Sequence, residues 1–182
     1  MTPSPSSDPA TSSMAERLRV VYPSLSWICA RPHRLIAFGF GSGLLRPMSG
    51  TWGTLLAWLM WIAVERWLPS DLYVGLFLAL AFTYGCWACL KVCRELDTPD
   101  HLGMVWDEMI AMWLVLWLTP SDWISQIAAF VLFRVFDILK PQPIKYCDAH
   151  VKGGLGVMVD DILAACYALL VIAAAVRLGV LG

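Results

Sequence analysis

Two adjacent aspartates, Asp160 and Asp161, stand at the head of an apolar run in which no charge recurs until Arg177. Carboxylates are among the costliest groups to bring near hydrocarbon, so a pair placed there calls for a partner. Asp107 and Glu108 open a second apolar run, and Asp137 interrupts a third, three residues before Lys140. Four or five carboxylates share a low-dielectric site only if some are protonated or a cation is bound. Oxygen-only donor sets suit hard ions such as Mg²⁺, which binds a few carboxylates together with phosphate. Such an ion polarises a phosphoryl oxygen and activates water. Bases lie close by: Arg134, Asp137 and Lys140 recur at i, i+3 and i+6 and can share one helix face. Ser42, Ser49, Thr51 and Thr54 supply hydroxyls within "GFGSGLLRPMSGTWGT", a stretch dense enough in glycine to aim backbone N–H groups at an anion. Acids to hold metal and bases to hold phosphate, beside long apolar runs, point to phosphoryl chemistry on a lipid.

The elements that must position these groups are legible in the composition. Hydrophobic residues make up 59% of the chain and charged residues 15%, where a soluble domain is close to half apolar and a quarter charged. The excess lies in runs at about 54–68, 72–92, 104–118, 123–140 and 157–178 rather than in alternation. This predicts an all-α, polytopic transmembrane bundle of about five spanning or partly spanning helices. Residues 1–13, rich in Ser and Pro, are expected to be a solvated tail. They lack the basic start and apolar core of a signal peptide. Residues 14–37, with four arginines among apolar and aromatic residues, are expected as a short amphipathic segment at the membrane surface, so that 14–182 forms one membrane-embedded domain. The net charge of −1 says nothing about nucleic acid, but no basic stripe with interleaved aromatics is present, and no nucleic-acid partner is expected. "CWACLKVC" has metal-site spacing but an apolar helical setting, which favours reduced structural thiols.

Lysine and arginine counting fixes the expected orientation. With 14–50 in the cytoplasm, Arg17, Arg19, Arg31, Arg34, Arg46, Lys91, Arg94, Lys140, Lys145 and Lys152 all fall inside, and only Arg66 and Arg177 fall outside. Asp107 and Glu108 follow Gly103 by four and five residues, as Asp160 and Asp161 follow Gly156. The acids therefore come from three helices at one depth, the cytoplasmic headgroup boundary. Taken singly, the same groups admit plainer roles. The aspartate pair could cap a helix N-terminus, Arg134 and Asp137 could form a structural ion pair, and the glycines could build a tight turn. His101 could be an acid or base, or a solvated loop residue; His33 and His150 are expected at the surface. A cation or proton transporter would use such an acid ring as a relay, but stretches such as "MWLVLWL" and "YALLVIAAAV" carry almost no polar groups onward.

Taken in order, "GFGSG", "GTWGT", "DHLGMVWDE", "FRVFDILKPQPIK" and "GGLGVMVDD" resemble the signatures of the phosphatidylglycerophosphatase A family, over about residues 36–165. The resemblance implies Mg²⁺-dependent hydrolysis of phosphatidylglycerophosphate to phosphatidylglycerol and phosphate in a bacterial inner membrane. It implies Asp100, Asp107, Glu108, Arg134, Asp137, Lys140, Asp160 and Asp161 as site residues. Asp107, Glu108, Asp137, Asp160 and Asp161 would hold metal or orient the attacking water. Arg134 and Lys140 would neutralise the monoester, with help from Ser42, Thr51 and Thr54. Direct attack by water and an aspartyl-phosphate intermediate both remain open. The rival CDP-alcohol phosphotransferases carry an Asp-Gly followed by Ala-Arg, which this chain lacks.

Overall fold

A computed structural model of the chain describes residues 22–68, 70–98, 101–150 and 154–182. The 1–13 tail, residues 14–21 of the amphipathic segment and Asp100 lie outside the described residues. Among the described residues all regular structure is helical: α1 (Leu25–Cys29), α2 (Pro32–Ala37), a 3₁₀ segment (Gly39–Leu44), α3 (Ser49–Val64), α4 (Asp71–Leu96), α5 (Trp106–Trp117), α6 (Trp123–Leu139), α7 (Ile144–His150) and α8 (Gly154–Arg177). Their ends follow local chemistry. Pro32 opens α2, where its missing N–H costs nothing. Asp122 caps α6 by accepting from the Ser125 N–H at 2.9 Å. Lys140 ends α6 in the left-handed conformation, and Pro141 behind it cannot continue the helix.

α5 is the axis of the bundle. It packs against α3, α4, α6 and α8, and nine of its twelve residues are buried, so it is apolar on every side below its first turn. Tryptophans pin the surrounding helices to backbone and side-chain acceptors. Trp113 Nε1 donates to the Ala57 carbonyl at 2.8 Å, Trp106 Nε1 to the Ala81 carbonyl at 3.2 Å, and Trp58 Nε1 to Gln126 Oε1 at 2.7 Å. Between α4 and α8 the approach is closer still. A Cβ at Gly154 would lie 2.0 Å from the Cys86 carbonyl oxygen, so only glycine fits there.

Helix lengths refine the five-run expectation. α4 and α8, with 26 and 24 residues, are long and apolar enough to cross a membrane. They carry exposed leucines at positions 72, 76, 80 and 170. α3, α5 and α6 have 16, 12 and 17 residues, or about 24, 18 and 26 Å at 1.5 Å per residue. Each falls short of a hydrocarbon core of ~30 Å. The central position of α5 accounts for its brevity, since a helix enclosed by others need not match the lipid. The expected amphipathic segment is, in its described part, two short helices joined at Ala30–Arg31. They are fastened to α4, where Glu95 accepts from Arg34 Nε at 2.7 Å and pairs with His33 Nε2 at 3.1 Å. His33 is therefore buried, contrary to the surface position expected for it, whereas His150 is exposed.

Candidate active site

Three backbone segments form the floor beneath the acids. The 101–105 turn that leads into α5 is fixed by the Val105 N–H donating to the Ala37 carbonyl at 3.0 Å and the Met104 N–H donating to the His101 carbonyl at 2.8 Å. Ser49 Oγ, at the first residue of α3, donates to the Leu102 carbonyl at 2.5 Å. The 3₁₀ segment presses on the same turn: a Cβ at Gly43 would lie 1.9 Å from the Gly103 carbonyl oxygen. The glycines of "GFGSG" thus serve close backbone approach, and "SGTWGT", expected as loop, forms the first turns of α3.

On this floor α5, α6 and α8 bring five carboxylates to one pocket of about 170 Å³. Its walls include Asp107, Glu108, Asp137, Asp160, Asp161, Lys140 and His101. α5 and α8 begin at this end and α6 finishes there, which places three helix termini at one level. Asp107 and Glu108 occupy the first turn of α5, where the helix dipole favours anions. Asp160 and Asp161 lie nearly two turns inside α8, so they are not its N-terminal cap. Both are buried, and Asp161 is surrounded by the like charges of Asp107, Asp137, Glu108 and Asp160, with Arg134 opposing them.

Two cations interleave with the acids. Arg134 Nη1 donates to Glu108 Oε1 at 3.0 Å and to Asp137 Oδ2 at 2.6 Å, and Lys140 Nζ donates to Asp160 Oδ2 at 2.5 Å. Among the described residues the buried Arg134 Nε finds no hydrogen-bond acceptor and the buried Thr51 hydroxyl no partner. Five acids share a largely buried space with two bases, an excess that requires either protonation of some carboxyls or a further cation. Among the described residues no three His, Cys, Asp or Glu side chains are gathered closely enough to hold one metal ion. Arg134 and Lys140 hold three of the carboxylates apart in ion pairs instead. The all-oxygen donor set and the charge excess nonetheless fit a hard divalent cation.

The hydroxyls expected to bind phosphate are distributed differently. Ser42 Oγ donates to the Gly39 carbonyl at 2.7 Å and Thr54 Oγ1 to the Gly50 carbonyl at 2.8 Å, so both protons are committed to backbone. His101 is only 2% exposed, not a solvated loop residue. Its Nδ1 accepts from the Gly103 N–H at 3.0 Å, which leaves the neutral ring's proton on Nε2. Its place in the pocket wall came with no sequence signal beyond the adjacent Asp100. The acids themselves were marked by their position in apolar runs.

Fold and pocket define a class: a helical, membrane-associated protein with its polar chemistry gathered at one end of the bundle. The particular family follows from comparison. The family model of phosphatidylglycerophosphatase A matches residues 35–176, and the chain belongs to that family. A phosphatidylglycerophosphatase A of Haemophilus influenzae is 44% identical over 142 residues, covering 78% of this chain and 86% of the relative. One of Escherichia coli K12 is 41% identical over 136 residues, covering 74% and 78%. A Bacteroides thetaiotaomicron protein provisionally named phosphatidylinositol-3-phosphatase is 41% identical over 148 residues, covering 78% and 91%. No solved structure matches. The chain is a phosphatase, and the matched region includes every residue of the acid pocket.

Proposed function

We propose that this phosphatase hydrolyses the terminal phosphomonoester of phosphatidylglycerophosphate, releasing phosphatidylglycerol and phosphate, with Mg²⁺ as cofactor. The observation that carries the reading is the convergence of five carboxylates and two cations from α5, α6 and α8 on one pocket. The names of two relatives supply the lipid. Asp107, Glu108, Asp137, Asp160 and Asp161 are the residues that would hold the metal, and a magnesium ion there would neutralise charge on the phosphoryl oxygens. Arg134 and Lys140 exchange their carboxylate partners for oxygens of the monoester, and the buried Arg134 Nε offers a further donor. Water attacks phosphorus in line with the departing glycerol oxygen. A pocket carboxylate takes the water's proton, and the P–O bond to glycerol breaks as that oxygen gains a proton. The remaining hydroxyl contribution from the 42–54 segment comes from Thr51.

The pocket lies at the cytoplasmic face of a bacterial inner membrane in this reading, with five helices wholly or partly spanning. The lysine and arginine bias of the sequence supports that orientation. The test is phosphate release by purified protein in neutral detergent, with Mg²⁺ or with EDTA. Phosphatidylglycerophosphate and phosphatidylinositol 3-phosphate are supplied in parallel. Metal-dependent release from the first substrate is expected. Release that survives EDTA refutes the cofactor, and preference for the inositol lipid refutes the substrate.

A further inference from the structure

Beside the acid pocket lies a second cavity of about 430 Å³, and the two share Leu102 and Glu108 as a common wall. Arg46, Met48, Ser49 and Tyr22 line its other sides. The Arg46 guanidinium lies over the Tyr22 ring, its central carbon 3.5 Å from the ring centroid. Stacking of this kind holds the plane while leaving the N–H fork available at its edge. The turn is anchored just after Arg46, at Pro47 and Ser49. Trp52 Nε1 donates to the Pro47 carbonyl at 3.1 Å, and Ser49 is bonded to Leu102.

Charge distinguishes this cavity from its neighbour. Arg34, Arg134 and Lys140 each hold a carboxylate, whereas no ion pair joins Arg46 to a carboxylate among the described residues. The shared Glu108 is already bonded to Arg134. Arg46 therefore presents a planar fork of donors one wall away from the pocket assigned to the monoester.

We infer that the Arg46–Tyr22 cavity binds the phosphodiester of the lipid head group while the monoester occupies the acid pocket. The inference rests on the proposed phosphatase reading of that pocket. Phosphatidylglycerophosphate carries its two phosphates on either end of a glycerol, so a monoester in one cavity delivers a diester anion to the next. An excess of carboxylates would repel that second anion. Arg46 meets it with a planar pair of donors. A lipid monoester without the diester, such as phosphatidic acid, gains nothing from Arg46, and the cavity thus selects for substrates with two phosphates.

The test uses dihexanoyl phosphatidylglycerophosphate as monomeric substrate, with two inhibitors that divide its groups. Dihexanoyl phosphatidylglycerol carries only the diester, and inorganic phosphate probes only the acid pocket. Arg46→Gln should raise KM for the substrate and Ki for phosphatidylglycerol about tenfold, equivalent to about 1.4 kcal/mol. It should leave kcat and the Ki for phosphate within twofold, and Arg46→Lys should recover part of the loss. Arg46 is exposed, so a thermal midpoint equal to that of the wild type verifies folding. Equal change in both inhibition constants, or change in neither, overturns the assignment while the wild type still hydrolyses the substrate. A wild type that releases no phosphate overturns the acid-pocket reading, and this inference with it.

Discussion

Gly50 offers the sharpest perturbation of the acid pocket because it lies outside the set of charged residues. A Cβ at this position would stand 1.9 Å from Glu108 Oε1 and 2.5 Å from both Cδ and Oε2. Bringing Oε1 to an ordinary contact requires a displacement of about 1.5 Å. That movement competes with the 3.0 Å bond from Arg134 to the same oxygen. Arg134 retains Asp137 at 2.6 Å, so the guanidinium stays paired and the cost is that of a local overpacking, about 1–3 kcal/mol. Helix propensity alone predicts the opposite sign, because Ala in place of a helical Gly gains about 1 kcal/mol. Gly50→Ala should therefore lower the thermal midpoint in detergent and reduce kcat about a hundredfold, the order of loss expected from a 1 Å misplacement at a reacting centre. Glu108→Asp withdraws the carboxylate by one carbon–carbon bond, about 1.5 Å. It should be impaired alone, yet recover stability and part of the activity when combined with Gly50→Ala. A double-mutant cycle on midpoint and kcat measures this coupling. A Gly50→Ala protein as stable and active as the wild type, or strictly additive losses in the double variant, would refute the reasoning.

Removing the guanidinium should be costlier than crowding it. Arg134→Met leaves Glu108 and Asp137 without their shared cation, and a loss of about 3–5 kcal/mol is expected. Arg134→Lys should fold better yet stay almost inactive, since an ammonium can replace Nη1 between Glu108 and Asp137 but supplies no counterpart of the buried Nε; midpoint and phosphate release separate the two effects. Lys140→Gln, which removes the 2.5 Å partner of Asp160, should lower kcat/KM at least tenfold, and Asp160→Asn should not restore it if Lys140 serves the phosphate. A steady-state comparison of the single and double variants decides that point. Gly154→Ala drives a Cβ to 2.0 Å from the Cys86 carbonyl oxygen, which as backbone cannot swing aside. It should cost about 1–3 kcal/mol, seen as a lower midpoint, whereas Gly75→Ala, with its nearest atom at 3.4 Å, should be neutral or stabilising.

The contrast between these glycines also bears on what the sequence makes legible. A carboxylate in an apolar run violates the composition around it, and that violation is local, so Asp107, Glu108, Asp137, Asp160 and Asp161 can be singled out from sequence. Helix alternation then puts them at one end, and in the fold they line one pocket. The five apolar runs likewise become α3, α4, α5, α6 and α8. Their lengths do not follow, because a run records where side chains avoid water, not whether they avoid it in lipid or in protein. α5 is the clearest case, with Met109, Ile110, Met112 and Trp113 buried against other helices. α7 is hidden for a different reason. Pro141 and Pro143 mark a loop, yet the second proline closes the turn from which Ile144–His150 starts, and seven residues are too few for a helical period to show.

Contacts between distant segments leave no such local mark. Nothing near His33 and Arg34 announces Glu95, which lies about sixty residues away and fastens both. The same holds for Gly50. In sequence it is one of several glycines in a stretch that suggests flexible anion binding; in the fold it is a helical residue whose missing Cβ makes room for the Glu108 carboxylate. The glycine-rich stretch therefore contributes to the pocket mainly by absence of side chain. It lets Gly43 meet the Gly103 carbonyl and Gly50 admit Glu108, and so brings the start of α3 against the start of α5. The turn between Gly43 and Gly50 thereby lines the neighbouring cavity, which shares Leu102 and Glu108 with the acid pocket, and Arg46 is carried on it. A stretch that resembles a phosphate cradle thus acts as a bracket between α3 and α5. The anion receptor it presents is a side chain, Arg46, rather than a row of backbone N–H groups.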